Sequence, residues 1–503
     1  MELDINMGKV FCFDAADDKK AVIPIDCSII LPDYFPDVMK ILRYTAKAVK
    51  SPVISEGNNE TVGGNVSVEV SYVSEEGELC SCFQLMPFSH SFECEGKVRA
   101  AEADIKVGEI GCRAVNKRRI DLHGSMELIL RTLCGEEKSI VSSVSGGGAV
   151  CKKESAETIS VIGEFYKNFT VEEKGELGYG KPPFGKILRS SCFAQVNECH
   201  VIQDKVVTKG EVKVTVLWVP EELAENGEKG PFLSSFTFPV SRMVDANGIL
   251  LTDICDARYE ADFAEITPTE DGENVFIKVK VGIFARVYRK EKTEYVNDMF
   301  STEYDINEEK EKIFVIKEAI PLSFSETVYE KIDLPEEAEE IIDIWAEPGT
   351  AEIKTGEKPA FNIKFCMFVK DGDGNPLYFE KTGVREIPFS KEKEKTAFYN
   401  ISVGVKNNEY SITRDRKAEI SSNVIIDGTA YMSMSTKTLV SCSLSTDKKN
   451  AGERAGITLC YAEKGERLWD IAKRYRADIK EIMNENKIED EIIEKRTMIV
   501  ILG

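Results

Sequence analysis

The sequence predicts a mainly β fold: three related antiparallel β-domains, each a sandwich or a partly open barrel, followed by a small βααβ module. Three observations predict it. One block recurs three times, its apolar residues alternate with period two between turns rich in Gly, Asp and Asn, and past Ala455 the apolar spacing becomes helical. A chain of 503 residues exceeds a single core at about 150 residues per domain, and 42% hydrophobic content argues against wholesale disorder. The expected divisions are residues 1–145, 150–310, 311–450 and 455–503.

The repeat is read from a short marker. Lys40-Ile41-Leu42-Arg43 returns as Lys186-Ile187-Leu188-Arg189. The same spacing pairs Gly64 with Gly210, Val66, Val68 and Val70 with Val212, Val214 and Val216, and Tyr72-Val73 with Trp218-Val219, without a gap. The third copy diverges, yet Phe361, Ile363, Phe365 and Met367 keep the alternation ahead of the turn Asp371-Gly372-Asp373-Gly374-Asn375. Each copy then reaches Met86-Pro87-Phe88-Ser89, Phe238-Pro239-Val240-Ser241 or Ile387-Pro388-Phe389-Ser390. A second pair of alternating runs follows, around Tyr259–Ile266 and Val275–Val287 in the second copy and Ile401–Val405 and Ala418–Met434 in the third. Alternation puts every second side chain on one face, as half-buried antiparallel strands require. Lead-ins at Leu31-Pro32, Pro182-Pro183 and Leu334-Pro335 are expected to hold one short turn or helix per copy.

This pattern resembles the SPOCS domain of spore-coat assembly proteins. The Pro-containing lead-in, the Lys-Ile-Leu step and the Gly-x-Val-x-Val-x-Val-x-aromatic-Val strand carry the likeness, up to about residue 440.

Charge excludes some partners. With 65 Lys and Arg against 87 Asp and Glu, the formal charge of -22 opposes nucleic acid and anionic membrane surfaces. The basic run Lys117-Arg118-Arg119 is expected on a solvated turn. The N-terminus lacks the cationic and apolar regions of a secretory signal, and no stretch reaches the ~20 apolar residues of a membrane span. A cytoplasmic protein with free thiols is therefore expected, despite 14 cysteines. Cys80, Cys82, His90 and Cys94 are zinc-type ligands, but their spacing fits no standard finger or ribbon. The second copy carries Ser234 and Arg242 at the Cys82 and His90 positions, so the fold is not expected to need a metal there.

Catalytic and cofactor motifs fail on inspection. Gly180-Lys181-Pro182-Pro183-Phe184-Gly185-Lys186-Ile187 nearly spells a phosphate loop, but Ile187 replaces the magnesium-binding hydroxyl and two prolines delete amide donors. Asp371, Asp373 and Asn375 begin like a calcium loop, with Pro376 and Thr382 where Gly and Glu belong. None of the three histidines is spaced for a metal pair, and no Gly-x-Ser-x-Gly elbow occurs. No enzyme and no cofactor are expected. Gly146-Gly147-Gly148 reads as a flexible interdomain link.

In the C-terminal segment, Ile457-Thr458-Leu459-Cys460-Tyr461 reads as a strand, Leu468, Ile471, Ala472 and Tyr475 as a helix, Ile479, Ile482 and Met483 as a second helix, and Thr497 to Leu502 as a closing strand. Gly465 followed by Leu468-Trp469-Asp470-Ile471-Ala472-Lys473-Arg474-Tyr475 is similar to the LysM module, with Asn486 at the asparagine position after the second helix. LysM modules bind N-acetylglucosamine glycans in a groove between two loops. Here Glu466-Arg467 and Glu494-Lys495-Arg496-Thr497 replace the small residues of those loops, which costs hydrogen bonds to glycan hydroxyls. The resemblance therefore implies a protein-binding module, with Ile457, Lys464, Gly465, Arg467, Trp469 and Asn486 facing the partner. The combination resembles clostridial spore-coat morphogenetic proteins of the SipL type. It implies a non-enzymatic scaffold in the mother-cell cytoplasm, at the forespore surface, docking onto the coat-basal-layer ATPase (SpoIVA type) and onto other coat proteins. The rival expectation is a peptidoglycan- or N-acetylglucosamine-binding protein that uses an intact groove. A hydrolase has no supporting motif.

Overall fold

The computed structural model describes residues 3–13, 17–95, 97–178, 181–220, 230–270, 272–352, 359–387, 396–448 and 456–502. Pro388, Phe389, Ser390, Gly180 and Ala455 lie outside them. The first unit comprises β1 (Asp4–Phe13), β2 (Asp17–Ile30), β3 (Val38–Lys50), β4 (Ile54–Glu56), β5 (Asn59–Ser74), β6 (Leu79–Glu93), β7 (Val98–Asn116) and β8 (Arg119–Ser145). The second comprises β9 (Ala149–Glu176), β10 (Lys186–Ile202), β11 (Lys205–Val219), β12 (Phe232–Asp245), β13 (Ile254–Pro268) and β14 (Asn274–Ser301). The third comprises β15 (Tyr304–Asp333), β16 (Glu340–Glu352), β17 (Ala360–Lys370), β18 (Pro376–Glu386), β19 (Thr396–Ile412) and β20 (Lys417–Lys448). The C-terminal module follows as β21 (Ile457–Ala462), α1 (Leu468–Tyr475), α2 (Ile479–Asn486) and β22 (Thr497–Leu502).

Every unit is an antiparallel sandwich with the same strand order. One sheet runs β2-β8-β7, β13-β14-β9 or β15-β20-β19, and the other runs β3-β5-β6, β10-β11-β12 or β16-β17-β18. The alternating runs supply the cores: Val66, Val68, Val70 and Tyr72 meet Leu122, Leu128 and Leu130, and Val212, Val214, Val216 and Trp218 meet Ile277, Val279 and Ile283. In the third unit Phe361, Ile363, Phe365 and Met367 meet Ile420, Val424 and Ile426. The repeated glycine has a packing cause. A Cβ on Gly64 would overlap the Val49 carbonyl, and one on Gly210 would overlap the Gln195 carbonyl.

The sequence marker is a β-bulge. Lys40, Ile41 and Arg43 pair with β5 while Leu42 is skipped, Lys186, Ile187 and Arg189 pair with β11 while Leu188 is skipped, and Ile342 is skipped between Ile341 and Asp343. The bulge turns Leu42, Leu188 and Ile342 toward one another, where they share an interdomain core with Trp345 and Phe368. The third copy has Asp343 where the others have Arg43 and Arg189. Arg189 donates from Nε and Nη2 to Asp343 Oδ2 at 3.1 and 2.6 Å, and Arg43 donates to Glu347 at 2.5 Å. Both guanidiniums also lie over the Trp345 ring, at 4.5 and 5.3 Å.

The strands β8, β14 and β20 overrun their sandwiches and continue as two-stranded ribbons with β1, β9 and β15. A lone ribbon is marginal in water. Here the three ribbons cover one another through Val10, Ile140, Tyr295, Ile313 and Val315, and further along through Val141, Val296 and Leu439, forming a stalk.

The first and third lead-ins form turns, one of the two forms expected, with Phe35 N donating to Pro32 O and Ala338 N to Pro335 O. Four sequence expectations change. Lys117 and Arg119 are exposed on the turn, but Arg118 is half-buried and clamps the first lead-in, donating to Phe35 O at 2.6 Å and Asp37 Oδ1 at 3.0 Å, as Arg416 does to Ala338 O at 2.6 Å in the third unit. Gly146-Gly147-Gly148 is a held turn, not a loose link. All three φ angles are positive, and Ser301 Oγ donates to Gly147 O at 2.6 Å. The division expected at 310/311 falls inside β15, which begins at Tyr304 in the stalk, directly after β14 ends at Ser301. Cys199 and Cys255 form a disulfide between β10 and β13, whose neighbouring edges bring their Cα atoms to 6.7 Å across a separation of 56 residues.

Candidate functional site at the stalk tip

The C-terminal module is βααβ, as expected. β21 and β22 pair antiparallel from Ile457↔Leu502 to Ala462↔Thr497. The helices bury Leu468, Ile471, Ala472 and Ile482 against Ile499 and Ile501. Asp478 caps α2 by accepting from Lys480 N at 2.7 Å, and Lys473 and Arg474 sit in the last turn of α1, where the helix dipole favours cations.

One side of the module is fixed to the stalk. Trp469 is only 7% exposed, packs edge-on to Phe300 at 5.3 Å, and donates from Nε1 to Asp298 Oδ2 at 2.7 Å. Lys473 and Lys310 each donate to Asp298 Oδ1 at 2.6 Å, and Arg476 pairs with Asp305. Burial would raise the Asp298 pKa, but the hydrogen bonds from Lys310, Lys473 and Trp469 hold it down at about 2.

The six residues expected to face a partner divide four ways. Trp469 is turned into the stalk of its own chain. Asn486 clips α2 to β22, accepting from Val500 N at 2.7 Å and donating to Val500 O at 2.7 Å and Ile482 O at 2.8 Å. Lys464, Gly465 and Arg467 share one exposed loop, where Gly465 adopts φ +86°. That loop is zipped to the segment before β22: Gly465 N donates to Ile493 O at 2.7 Å, Ile493 N to Glu466 O at 3.0 Å and Leu468 N to Glu491 O at 2.8 Å. Ile457 lies at the opposite end of β21, roughly 17 Å of strand away from Ala462.

Ile457 belongs instead to a surface that the sequence reading missed. On the sheet face turned away from the helices, Ile457, Leu459 and Tyr461 are 62%, 58% and 64% exposed. The register places Leu502, Val500 and Met498 directly opposite them, and Leu502 and Met498 are exposed as well. The signal was present: Ile457 to Ala462 is apolar at alternate positions of both phases apart from Thr458, the mark of a strand with two faces to cover.

The cysteine cluster shows no convergence on a metal. Cys80 Sγ receives a hydrogen bond from Lys186 Nζ at 2.9 Å, Cys82 is buried with its thiol on Val70 O, and His90 packs edge-on to Phe92 at 4.7 Å. Among the described residues no three His, Cys, Asp or Glu side chains are placed to hold a metal ion. Among them also, no helix is long and apolar enough to cross a membrane. No protein-family model, curated protein or solved structure matches this chain.

Proposed function

We infer that the chain is a non-enzymatic scaffold that docks a partner through its C-terminal LysM-like module. The observation that carries this reading is the two-stranded apolar face of Ile457, Leu459, Tyr461, Met498 and Leu502, held out on a module whose other side is bolted to the stalk. Such a patch, aliphatic across its middle, with an aromatic at one end beside charged residues, is the make-up of a protein-binding surface. Arg496 lies over the Tyr461 ring at 5.4 Å and pairs with Glu463, which supplies that rim. The glycan reading loses support where the two groove loops spend backbone groups on each other.

The SPOCS-like repeats and LysM-like module give the partner its proposed identity: the coat-basal-layer ATPase of the spore, met at the forespore surface from the mother-cell cytoplasm. The three sandwiches then act as a rigid spacer and as further contact surfaces. The test is co-purification of the ATPase with the full chain and with Leu459→Glu and Tyr461→Glu variants. Loss of a hot-spot contact of about 2 kcal/mol predicts retention weaker by about 30-fold in each. Retention unchanged in both variants would move the contact off this face, and selective binding of chitin-type oligomers on a glycan array would replace the reading altogether.

A further inference from the structure

The two sheets of a sandwich are joined by side-chain packing and by the loops that cross between them. The second unit adds a covalent tie: Cys199 on β10 and Cys255 on β13 are bonded through sulfur, although the two strands belong to different sheets. The other twelve cysteines are thiols. The first unit builds the same place without the bond. Its bulge between Val107 and Ile110 matches the one between Ala261 and Ala264, which sets buried Ala101 opposite Thr132 where Cys255 stands opposite Val287. The spacing that matches Gly64 to Gly210 puts Val53 at the Cys199 position. The fold therefore closes at this end without a disulfide, and the bond is an addition to one copy.

Both cysteines are half-buried and line the cavity between the three sandwiches, where a small thiol can reach them. Weaker ties hold the rest of this end. Val206, Ala246, Ile249, Ala285 and Val287 pack as a small core beside the pair. The crossing loop 246–253 is clipped to the first sheet by Asp204 in the turn between β10 and β11. Its backbone O accepts from Ala246 N at 2.9 Å and its Oδ1 from Gly248 N at 2.8 Å. On the second sheet, Arg289 of β14 donates to the two carboxylate oxygens of Asp253 at 2.7 and 2.8 Å.

We propose that Cys199 and Cys255 form a thiol–disulfide switch that stiffens this end of the second sandwich when it is oxidised. The oxidant is a low-molecular-weight disulfide. A thiolate of the pair attacks one of its sulfurs and releases one small thiol. The second cysteine then displaces the other small thiol from the mixed disulfide. Two protein thiols and one small disulfide become one protein disulfide and two small thiols, so two electrons pass from the protein to the small disulfide. The bond spans a separation of 56 residues and removes many open arrangements of that segment. In a reducing compartment the dithiol is the resting form, and the sheets are then held by the small core and the loop clips alone. The pair is separate from the apolar face of the C-terminal module, so either reading can fail without the other.

The test equilibrates the full chain, without denaturant, in glutathione buffers that run from reduced to oxidised. Each sample is quenched with N-ethylmaleimide in denaturant and mapped by mass spectrometry. The fraction of Cys199 joined to Cys255 should rise through one two-electron transition within the series, while the other cysteines are alkylated throughout. Hydrogen exchange of segments 199–206 and 246–255 should be slower by roughly tenfold or more at the oxidised end, with segment 61–72 of the first unit unchanged. Cys199→Val combined with Cys255→Ala, which gives the second unit the residues of the first, should exchange at the dithiol rate in every buffer. If that variant misfolds, Cys255→Ala alone gives the same fixed rate. A pair that stays reduced at every ratio, a bond that persists against excess dithiothreitol in the native chain, or equal exchange in the two forms overturns the proposal.

Discussion

Replacing Asp343 by Ala is expected to cost about 3–5 kcal/mol, read as a lower urea midpoint with the slope unchanged. Arg189 and Asp343 are both almost fully buried where the three sandwiches meet, and Asp343 accepts from two nitrogens of the guanidinium. Removing the carboxylate strands a desolvated cation between Trp345 and the apolar residues of the bulges. The attraction itself need not be what is lost. Burying two charges costs about as much as their pairing returns, so Arg189→Met combined with Asp343→Leu should recover most of the loss or exceed the parent. A loss under about 1 kcal/mol in Asp343→Ala would show that water reaches Arg189, and that the junction is looser than its packing indicates. The geometry also explains why the repeats are unequal. Three copies of the first unit would bring three arginines to this junction, and the single Arg-to-Asp change turns repulsion into a pair.

That asymmetry marks where the sequence stops being legible. The first two copies align residue for residue because their core valines and the Gly64 and Gly210 contacts obey the same local constraints. The third keeps only the alternation, so Asp343 could not be matched to Arg43 and Arg189 before the shared bulge register placed it there. Strand existence was read well and strand length poorly. Apolar residues recur along β15 on both sides of the point where it passes from the stalk into the sandwich, since both places bury one face, and nothing in the pattern says which neighbour covers it. The Cys199–Cys255 bond depends on two edges meeting, a tertiary fact. At the C-terminus the helix containing Trp469 was clear from its spacing, but spacing fixes a face relative to its own helix and not the partner that face meets. An interface within the chain and one with another protein use the same residue types, which is why Trp469 was expected to face outward.

Protonation of Asp298 is expected to release the C-terminal module from the stalk. The carboxylate stays ionised down to about pH 2 when Lys310, Lys473 and Trp469 hold it, against an ordinary value of 3.8. A depressed pKa stabilises the docked state fully above the ordinary value. That contribution is lost as pH falls from about 4 to about 2 and amounts to roughly 2 kcal/mol before solvent screening is allowed for. Nothing changes between pH 5 and 8 on this account. The chain has three tryptophans, so 5-fluorotryptophan labelling gives a spectrum in which Trp218 and Trp345, buried elsewhere, report global unfolding. The Trp469 line should move first, with its midpoint in that acid window, while the other two hold. In Asp298→Asn the line should lose this pH dependence, and in Phe300→Ala docking should weaken by about 3–5 kcal/mol, because the Trp469 ring loses the aromatic face it packs against. If all three lines move together in the parent chain, the module and the stalk unfold as one unit, and Asp298 is a structural ion pair rather than the hinge pin of a detachable domain.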